Sequence, residues 1–293
     1  MLLSGVSTLM CRPVNFLMYP GISVKMMQET LLNMIAARII ILLMAVGVAS
    51  PLMAQRPTRT VQLEDKVVAV AIDRPGDLYT SLQNGKLFRV DSDGNVEQLS
   101  GLTRPPTLFD PRDGSRLFAY YRDDQRFVYF SMSRELSNNE VDSAFAITPW
   151  MVSPSGDYNV WIADAADNVI RKVNNTTSRI DAEIAFTYGV SEMRYMREYQ
   201  GFLFVLHPAR GIVIYSSMGR ELRTLGTGAT PYFNFLGEEL YYPGEPGQLI
   251  FFNLFSTETR TVTLPRKAMF SLLTDTRVFS VNQDKVEIFQ ALR

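Results

Sequence analysis

Cysteine and histidine, two residue types that often carry chemistry in proteins, occur once each among the 293 residues of this sequence. They are Cys11 and His207. An internal disulfide, a CxxC redox pair and a cysteine-ligated zinc site each need at least two cysteines, so all three are excluded. A site with several histidine ligands is excluded in the same way. A serine hydrolase with a Ser-His-Asp triad would have to rely on His207 alone.

His207 lies in the apolar segment Phe204-Val205-Leu206-His207-Pro208, where a connection between two strands is expected. A lone imidazole without an identifiable partner residue is not a catalytic arrangement. The preferred interpretation is therefore an exposed loop histidine. The alternative is a base or ligand contact on one face of the fold.

One acidic segment, residues 91–97 (Asp-Ser-Asp-Gly-Asn-Val-Glu), superficially resembles a calcium-binding loop. Its ligand series is too short and its glycine comes too early for an EF-hand. The central Asp-Gly-Asn between two apolar runs is typical of a β-hairpin turn, which we predict here. No cofactor is therefore expected. The alternative is calcium held by ligands from distant parts of the chain, such as Asp73, Asp164 and Asn253.

The charge balance excludes a further class of function. The chain has 29 Lys+Arg and 30 Asp+Glu, which gives a formal net charge of −1. A nucleic-acid-binding domain normally carries a clear basic excess, so nucleic acid is not an expected partner. The hydrophobic content of 46% and the charged content of 20% are those of an ordinary folded protein.

The N-terminal part of the chain has the pattern of a secretory signal peptide. An apolar run of ten residues, 39–48, follows Arg38 and leads into small residues up to Ala54. The run is shorter than the roughly 20 apolar residues of a transmembrane helix and has the length of a signal-peptide core. We therefore predict a signal peptide over 34–54 that is cleaved after Ala54, with cleavage after Ala49 as the alternative.

Residues 1–33 lie upstream of this predicted signal peptide. Met26, Met27 and Met34 could each serve as a start, so we interpret 1–33 as a segment that need not be translated. The alternative is a long, uncleaved membrane anchor.

Cleavage after Ala54 would leave a single domain, 55–293, and would remove Cys11. An exported protein without disulfides suits a bacterial envelope. We therefore expect a periplasmic or secreted protein with no stable transmembrane span after cleavage.

Past residue 58 the sequence repeats with a period of about forty residues. Short β-forming runs alternate with clusters of Gly, Pro, Asn and Asp, which is typical of an all-β domain. An apolar pair recurs at intervals of 39, 43, 43, 37 and 38 residues, in Leu78-Tyr79, Leu117-Phe118, Val160-Trp161, Leu203-Phe204, Leu240-Tyr241 and Val278-Phe279. A second apolar run follows each pair by about nine residues, in Leu87–Val90, Phe127–Phe130, Val169–Val173, Ile212–Tyr215, Leu249–Phe252 and Val286–Phe289.

This period predicts a six-bladed β-propeller with four-stranded blades. Val67–Ile72 is apolar at every position, as in an inner strand that is covered on both faces. The last unit, 268–292, supplies only three strands, so we predict that a strand at about 59–64 completes it and closes the ring. The polar segment 131–140 is interpreted as a loose, solvated hairpin. A single large β-sandwich is the alternative fold, but it gives no reason for a steady period.

Two of the predicted blades resemble the NHL-type propeller repeat. The resemblance rests on Val67–Asp73 with Gly76–Tyr79, and on Val152–Asp164 continued by Asp167–Val173. The other blades share only the apolar pattern. The resemblance implies an exported bacterial member of the NHL-repeat-like six-bladed propellers, and it implies a fold and not a function. Enzymes with related repeats typically place histidines and carboxylates around the central channel.

The predicted loops contain aromatic and arginine residues that a propeller gathers on one face. Connections from each outer strand to the next inner strand, and from each second strand to the third, emerge on the same side. The candidate binding residues on that side are Arg104, Trp150, Asp164, Tyr188, His207, Arg210, Tyr232 and Tyr242. A face that mixes aromatic residues with arginine is typical of a protein-binding surface.

We therefore expect a non-enzymatic binding or scaffold module whose partner is an envelope or extracellular protein. No catalytic residue and no metal ligand is predicted. One alternative is an NHL-like metal-dependent lactonase or lyase, and another is a binder of surface glycans. Three or more carboxylates or asparagines that converge at the channel mouth would favour the enzyme, whereas a mouth lined by apolar, arginine and tyrosine residues would count against it.

Overall fold

The computed structural model describes residues 56–99, 104–112, 114–156, 159–228 and 230–291. The chain divides into two compact units, 1–53 and 54–293, and the described residues belong to the second. The predicted upstream segment, the signal peptide with its cleavage site, and Cys11 lie outside the described residues. Within the described part, no helix has the length and apolar character needed to cross a membrane.

The first strand, β1 (Arg59–Gln62), belongs to the last blade, and the next three blades follow in chain order. Blade 1 contains β2 (Val67–Ile72), β3 (Leu78–Leu82), β4 (Leu87–Val90) and β5 (Val96–Leu99). Blade 2 contains β6 (Leu108–Asp110), β7 (Leu117–Tyr121), β8 (Arg126–Phe130) and β9 (Glu135–Glu140). Blade 3 contains β10 (Pro149–Pro154), β11 (Val160–Asp164), β12 (Val169–Asn174) and β13 (Arg179–Ala185).

The remaining blades complete the ring after a short 3-10 turn, Val190–Glu192. Blade 4 contains β14 (Tyr195–Tyr199), β15 (Phe202–His207), β16 (Gly211–Ser216) and β17 (Glu221–Leu225). Blade 5 contains β18 (Asn234–Leu236), β19 (Glu239–Pro243), β20 (Gln248–Asn253) and β21 (Thr259–Thr263). Blade 6 contains β22 (Phe270–Leu273), β23 (Arg277–Asn282), β24 (Lys285–Gln290) and β1. The predicted six-bladed propeller with four antiparallel strands per blade is confirmed.

β1 pairs antiparallel with β24 as the outer strand of blade 6, with Arg59 opposite Ile288 and Val61 opposite Val286. The backbone N–H of Thr58 donates to the carbonyl of Ile288 at 2.7 Å, which extends the pairing by one residue. This pairing covers the edge of β24, which would otherwise expose unpaired backbone groups.

The burial of each strand follows its place in the blade. The second strands carry the recurring apolar pair, and β3, β7 and β11 are buried at every residue because they pack between two neighbouring blades. The outer strand β9 is mostly exposed. It includes much of the polar segment 131–140, where the predicted solvated hairpin is present but is not loose, because residues 135–140 pair regularly with β8. A polar outer strand lacks the apolar alternation that marks a strand in a sequence.

One expectation about the inner strands also needs correction. β2 is apolar throughout, yet it is not covered on both faces, since Val68 is 47% exposed. The exposed part of β2 borders the centre of the ring, where an open cavity replaces a packed neighbour. In blade 1 the apolar sequence of the inner strand therefore reflects the lining of a cavity and not burial on both faces.

The antiparallel order of the strands separates the loops onto two faces. We call "inter-blade face" the side that carries the connections between blades, such as 141–148, 186–194 and 264–269, together with the second-to-third-strand turns, such as 122–125 and 208–210. The opposite face carries the first-to-second and third-to-fourth-strand connections, such as 91–95 and 217–220. The predicted hairpin turn at Asp91 is present there, with the Asp91 carboxylate accepting hydrogen bonds from the backbone of Asp93 and Asn95.

Candidate functional site

His207 is buried and does not lie in an exposed loop, so the preferred interpretation of this residue is wrong. It is the last residue of β15. Its Nδ1 accepts a hydrogen bond from the backbone N–H of Ala209 at 3.2 Å, and its Nε2 lies 3.3 Å from the carbonyl oxygen of Gly189. Both ring nitrogens therefore help to fix loops. The proline at position 208 suggested that the strand ends before His207. In the structure β15 continues to His207 itself.

Two other predicted binding residues, Tyr188 and Arg210, lie together next to this histidine. The Tyr188 ring packs 5.6 Å from the His207 ring, and the Arg210 guanidinium lies 5.0 Å from the centre of the Tyr188 ring. Arg210 also forms an ion pair with Glu221 at 2.7 Å. Tyr188 remains 42% exposed, so this group presents an aromatic surface on the inter-blade face.

Asp164 has a structural role at the end of β11. Its carboxylate accepts hydrogen bonds from the backbone of Ile147 at 2.9 Å, Thr148 at 2.8 Å and Ala166 at 3.0 Å, and it lies 3.6 Å from the Arg171 guanidinium. The residue is buried. The predicted ligand contact at Asp164 is therefore replaced by an anchor for the connection between blades 2 and 3.

Trp150 lies in β10 and is held by a residue that the sequence analysis did not select, Arg122. The Arg122 guanidinium lies 3.5 Å from the centre of the Trp150 ring, and its Nε donates to the Trp150 carbonyl at 2.6 Å. The Trp150 Nε1 donates in turn to the carbonyl of Met193 at 3.1 Å. Burial lowers the pKa of Arg122. This contact links blades 2, 3 and 4.

The remaining predicted residues lie on other blades. Arg104 pairs with Asp124 and lies over the Tyr121 ring, with its guanidinium 5.0 Å from the ring centre. Tyr242 is partly buried within β19, and burial raises its pKa. The Tyr232 hydroxyl accepts a hydrogen bond from the backbone N–H of Ser271 at 2.7 Å, which links blade 5 to blade 6. Burial raises the pKa of Tyr232 to about 12.

The centre of the ring contains an open cavity of about 200 Å³. Inner-strand residues of five blades line it, and it includes Pro106, Thr107, Arg194 and Pro231, which precede inner strands on the inter-blade side. Its apolar lining comprises Val68, Ala69, Val70, Ala71, Leu108, Phe109, Phe233, Phe270 and Leu272, and its polar lining includes Ser81, Thr107, Arg194, Tyr195, Arg197, Tyr232 and Asn234. No carboxylate is among these lining residues.

Arg197, in the middle of inner strand β14, is the buried charge of this cavity. Its guanidinium donates to Oδ1 of Asn234 at 3.0 Å and lies 3.3 Å from the Asp110 carboxylate. Burial lowers the pKa of Arg197, but the carboxylate of Asp110 and the nearby tyrosines together keep that pKa above its ordinary value. Burial likewise raises the pKa of Tyr195, to about 12.

Asp110 is shared between two arginines. Besides Arg197, its carboxylate contacts the Arg112 guanidinium at 3.2 Å. Arg112 also contacts blade 3, because its Nη2 donates a hydrogen bond to the carbonyl oxygen of Pro154 at 2.8 Å. Burial raises the pKa of Asp110, yet the two arginines together hold it below its ordinary value of 3.8. The group carries a net positive charge.

A second buried network surrounds Glu198, the neighbour of Arg197. Its carboxylate accepts hydrogen bonds from Nε1 of Trp161 at 2.6 Å and from the hydroxyl of Ser155 at 2.7 Å, and it lies 3.7 Å from Nζ of Lys172. These partners come from blade 3, so the network fixes blade 4 against blade 3. The carboxylate is fully occupied by protein partners.

The chemistry of the cavity is that of a cationic and aromatic binding site. Among the described residues, no group of three or more His, Cys, Asp and Glu side chains lies close enough together to hold a metal ion. The lining instead offers guanidinium, hydroxyl and amide groups beside apolar walls. This is the apolar, arginine- and tyrosine-lined mouth that was named above as one of two possible outcomes.

The charged residues of the cavity were not predicted from the sequence. Asp110, Arg197 and Asn234 were not selected because each lies in an inner strand and not in a loop, and Arg194, the last residue of the connection 186–194, was not selected either. A signal was present, since Asp110 directly follows two apolar residues and Arg197 follows Tyr195 and Met196. A charge at such a position is buried by the fold and needs a partner.

Comparisons with known proteins support the fold. A chain in the crystal structure of the mitotic checkpoint complex is similar at 10% identity, over 84% of this chain and 98% of that chain, with a TM-score of 0.57. The WD40 propeller domain of Doa1 is similar at 12% identity, over 82% and 98% of the two chains, with a TM-score of 0.54. Virginiamycin B lyase from Staphylococcus aureus has 11% identity over 77% and 80%, with a TM-score of 0.49.

No protein-family model and no curated protein sequence matches this chain. The resemblance of two blades to the NHL-type repeat is therefore not confirmed as family membership. At identities of 10–12%, the structural likeness shows the fold alone. The chain is a six-bladed β-propeller whose central cavity is lined by arginine, tyrosine and apolar residues.

Proposed function

We propose that this propeller is a non-enzymatic module that binds another protein through its inter-blade face. The observation that carries the proposal is the set of apolar side chains that this face leaves exposed. Ile147 is 70% exposed, Met269 is 46% exposed and Tyr188 is 42% exposed. Each lies in a different connection between blades.

The composition of this face supports a protein partner. Aromatic residues, methionine and arginine are enriched in protein–protein interfaces relative to the rest of a protein surface. Here Tyr188 and Met269 occur on the same face as Arg194 and Arg210, and Arg194 also lines the cavity. The face rests on a closed ring of six sheets, so its loops start from rigid strands and lose little conformational freedom on binding.

Substitution of one exposed residue on this face should separate binding from folding. We expect Ile147→Asp to reduce capture of the partner by about tenfold or more, because a desolvated carboxylate in an apolar interface is costly. The full chain with an affinity tag would be expressed at native level, and proteins that co-purify from the envelope fraction would be quantified by mass spectrometry.

Met218→Asp is the matched control, because Met218 is 75% exposed and lies on the opposite face. The same charge is introduced there at an equally exposed apolar residue. Capture of the same proteins in equal amounts by both variants would contradict the proposed face.

The proposed partner belongs to the bacterial envelope or to the extracellular space. This part of the proposal is supported by the apolar run 39–48 after Arg38, and by the small residues that end at Ala54. The absence of cysteine from 55–293 agrees with a protein that does not rely on disulfides after export.

N-terminal sequencing tests the export. Protein isolated from an envelope or culture fraction should begin at Gln55, because the signal peptidase would cut after Ala54. A start at Ser50 would replace this site by the alternative after Ala49. An uncleaved N-terminus in the folded product would refute removal of the signal and would support the membrane anchor.

A further inference from the structure

We propose that the central cavity binds the carboxy-terminal residue of a partner polypeptide, with the terminal carboxylate held by Arg194 and Arg197 and an apolar side chain held by the cavity walls. This inference rests on the proposed protein-binding function and names the chemistry of the partner at one site. Four observations carry it: the size of the cavity, its apolar walls, its charge and the position of several of its lining residues on the inter-blade side.

The size and lining of the cavity fit one apolar side chain. Its volume is about 200 Å³. A cavity of about 150 Å³ lined by Leu, Ile and Phe is known to accommodate benzene, so a phenyl or isobutyl group fits here with room for a carboxylate. Val70, Leu108, Phe270 and Leu272 supply an apolar surface for such a group. Burial of that side chain would provide the hydrophobic part of the binding free energy.

The positive charge of the cavity favours the binding of an anion. Arg194 is exposed, and its guanidinium has no hydrogen bond or ion pair with any described residue. Arg197 is buried, and its Nε–H has no hydrogen-bond acceptor in the described part of the chain. Asp110, the acid that contacts Arg197, is also engaged by Arg112. A carboxylate would add the missing negative charge and accept charge-assisted hydrogen bonds.

A carboxy terminus combines the two required groups on one residue. The terminal carboxylate and the side chain are attached to the same carbon atom, so both can enter a small cavity together. Tyr195 and Asn234 line the same space, and the Tyr195 hydroxyl and the Asn234 amide can hydrogen-bond to the last peptide group. The rest of the partner would then lie on the inter-blade face, where Ile147, Tyr188 and Met269 are exposed.

A labelled peptide tests this inference with the full chain. The probe is an N-terminally fluorescein-labelled hexapeptide, Gly-Ser-Gly-Ser-Gly-Phe, with a free carboxy terminus, and its binding is measured by fluorescence anisotropy. The same peptide with a carboxy-terminal amide is the control. We expect the free acid to bind about tenfold or more tightly than the amide, since hydrogen bonds to charged groups are the stronger ones. Equal affinities, or no binding of either peptide, would overturn the inference.

Substitutions assign the binding to the cavity. Arg194→Gln is expected to lower the affinity for the free acid by about tenfold while leaving the affinity for the amide unchanged. Arg220→Gln removes the same charge from an exposed position on the opposite face and should leave both affinities unchanged. Equal loss in both variants would mean that the peptide responds only to net charge and would overturn the inference.

Two further outcomes distinguish this inference from the binding of a free organic acid and from the proposed protein-binding function. If 3-phenylpropanoate displaces the peptide and binds as tightly as the peptide does, the cavity recognises a free organic acid, and the polypeptide terminus is refuted. If the free-acid peptide fails to bind while Ile147→Asp still abolishes partner capture, the inference is wrong and the proposed function stands.

Discussion

Replacement of Asp110 by alanine is expected to lower the free energy of unfolding by about 3–5 kcal/mol, because a buried arginine then loses its carboxylate partner. Asp110 and Arg197 are 1% and 8% exposed, and their Oδ1 and Nη2 atoms are 3.3 Å apart. Arg197 would keep its bond to Asn234, but it would remain buried with an uncompensated charge. Urea unfolding followed through the fluorescence of Trp150 and Trp161 measures the loss.

The matched control is Asp124→Ala, which removes the partner of Arg104. Both side chains of that ion pair are 41% exposed, so its loss should cost at most about 1 kcal/mol. The difference between the two losses of stability measures how much the burial of an ion pair adds to the cost of removing its carboxylate. Equal losses of stability in the two variants would show that the Asp110 contact adds nothing beyond a surface ion pair.

The pH dependence gives an independent check on Asp110. Its pKa in the folded protein is held below the ordinary value of 3.8, so its stabilising contribution is complete above that value. The contribution is lost as the pH falls through the lower pKa of the folded state. The stability difference between the wild-type protein and Asp110→Ala should therefore be constant near neutral pH and should shrink below about pH 4.

The propeller fold could be predicted because the burial of one strand in each blade imposes the same apolar pattern on every repeat of the sequence. Each second strand lies between two neighbouring blades and must be apolar on both faces, so pairs such as Leu78-Tyr79 and Val160-Trp161 recur with the period of the blade. The outer strand faces solvent, and only the pairing with its neighbour specifies it. This difference explains why residues 135–140 were read as a loop and the buried strands were not.

The candidate site could be predicted only in part, because its essential contacts join different blades. The sequence places Tyr188 and Arg210 on one face, and the structure brings their side chains together. It gives no indication that Asp110 of blade 2 meets Arg197 of blade 4, since 87 residues separate them in the sequence. His207 and Asp164 were selected for their chemistry, whereas their hydrogen bonds to nearby backbone give them structural roles.

The same reasoning explains why the lining of the central cavity could not be predicted from the sequence. A run of apolar residues such as Val67–Ile72 does not reveal whether its neighbour is a packed strand or an open space. The answer depends on how closely the inner strands of the ring approach each other, which is a property of the closed fold. Once the ring is closed, the charges on inner strands lie beside the apolar walls of the cavity, where water is scarce and their electrostatic effect is therefore large.

Gly211→Ala is expected to destabilise the propeller by about 2–5 kcal/mol, the sum of backbone strain and overlap. Gly211 begins β16 with φ +84°, a conformation that residues with a Cβ adopt at a cost. A Cβ there would overlap the carbonyl oxygen of Leu225 and lie 2.7 Å from the backbone nitrogen of Thr227. Gly201→Ala is the control, because Gly201 has φ +79° with no atom within 4 Å of a Cβ, so strain alone should cost about 1–2 kcal/mol. If urea unfolding gave equal losses for the two variants, the close approach of β16 to the chain after β17 would be refuted.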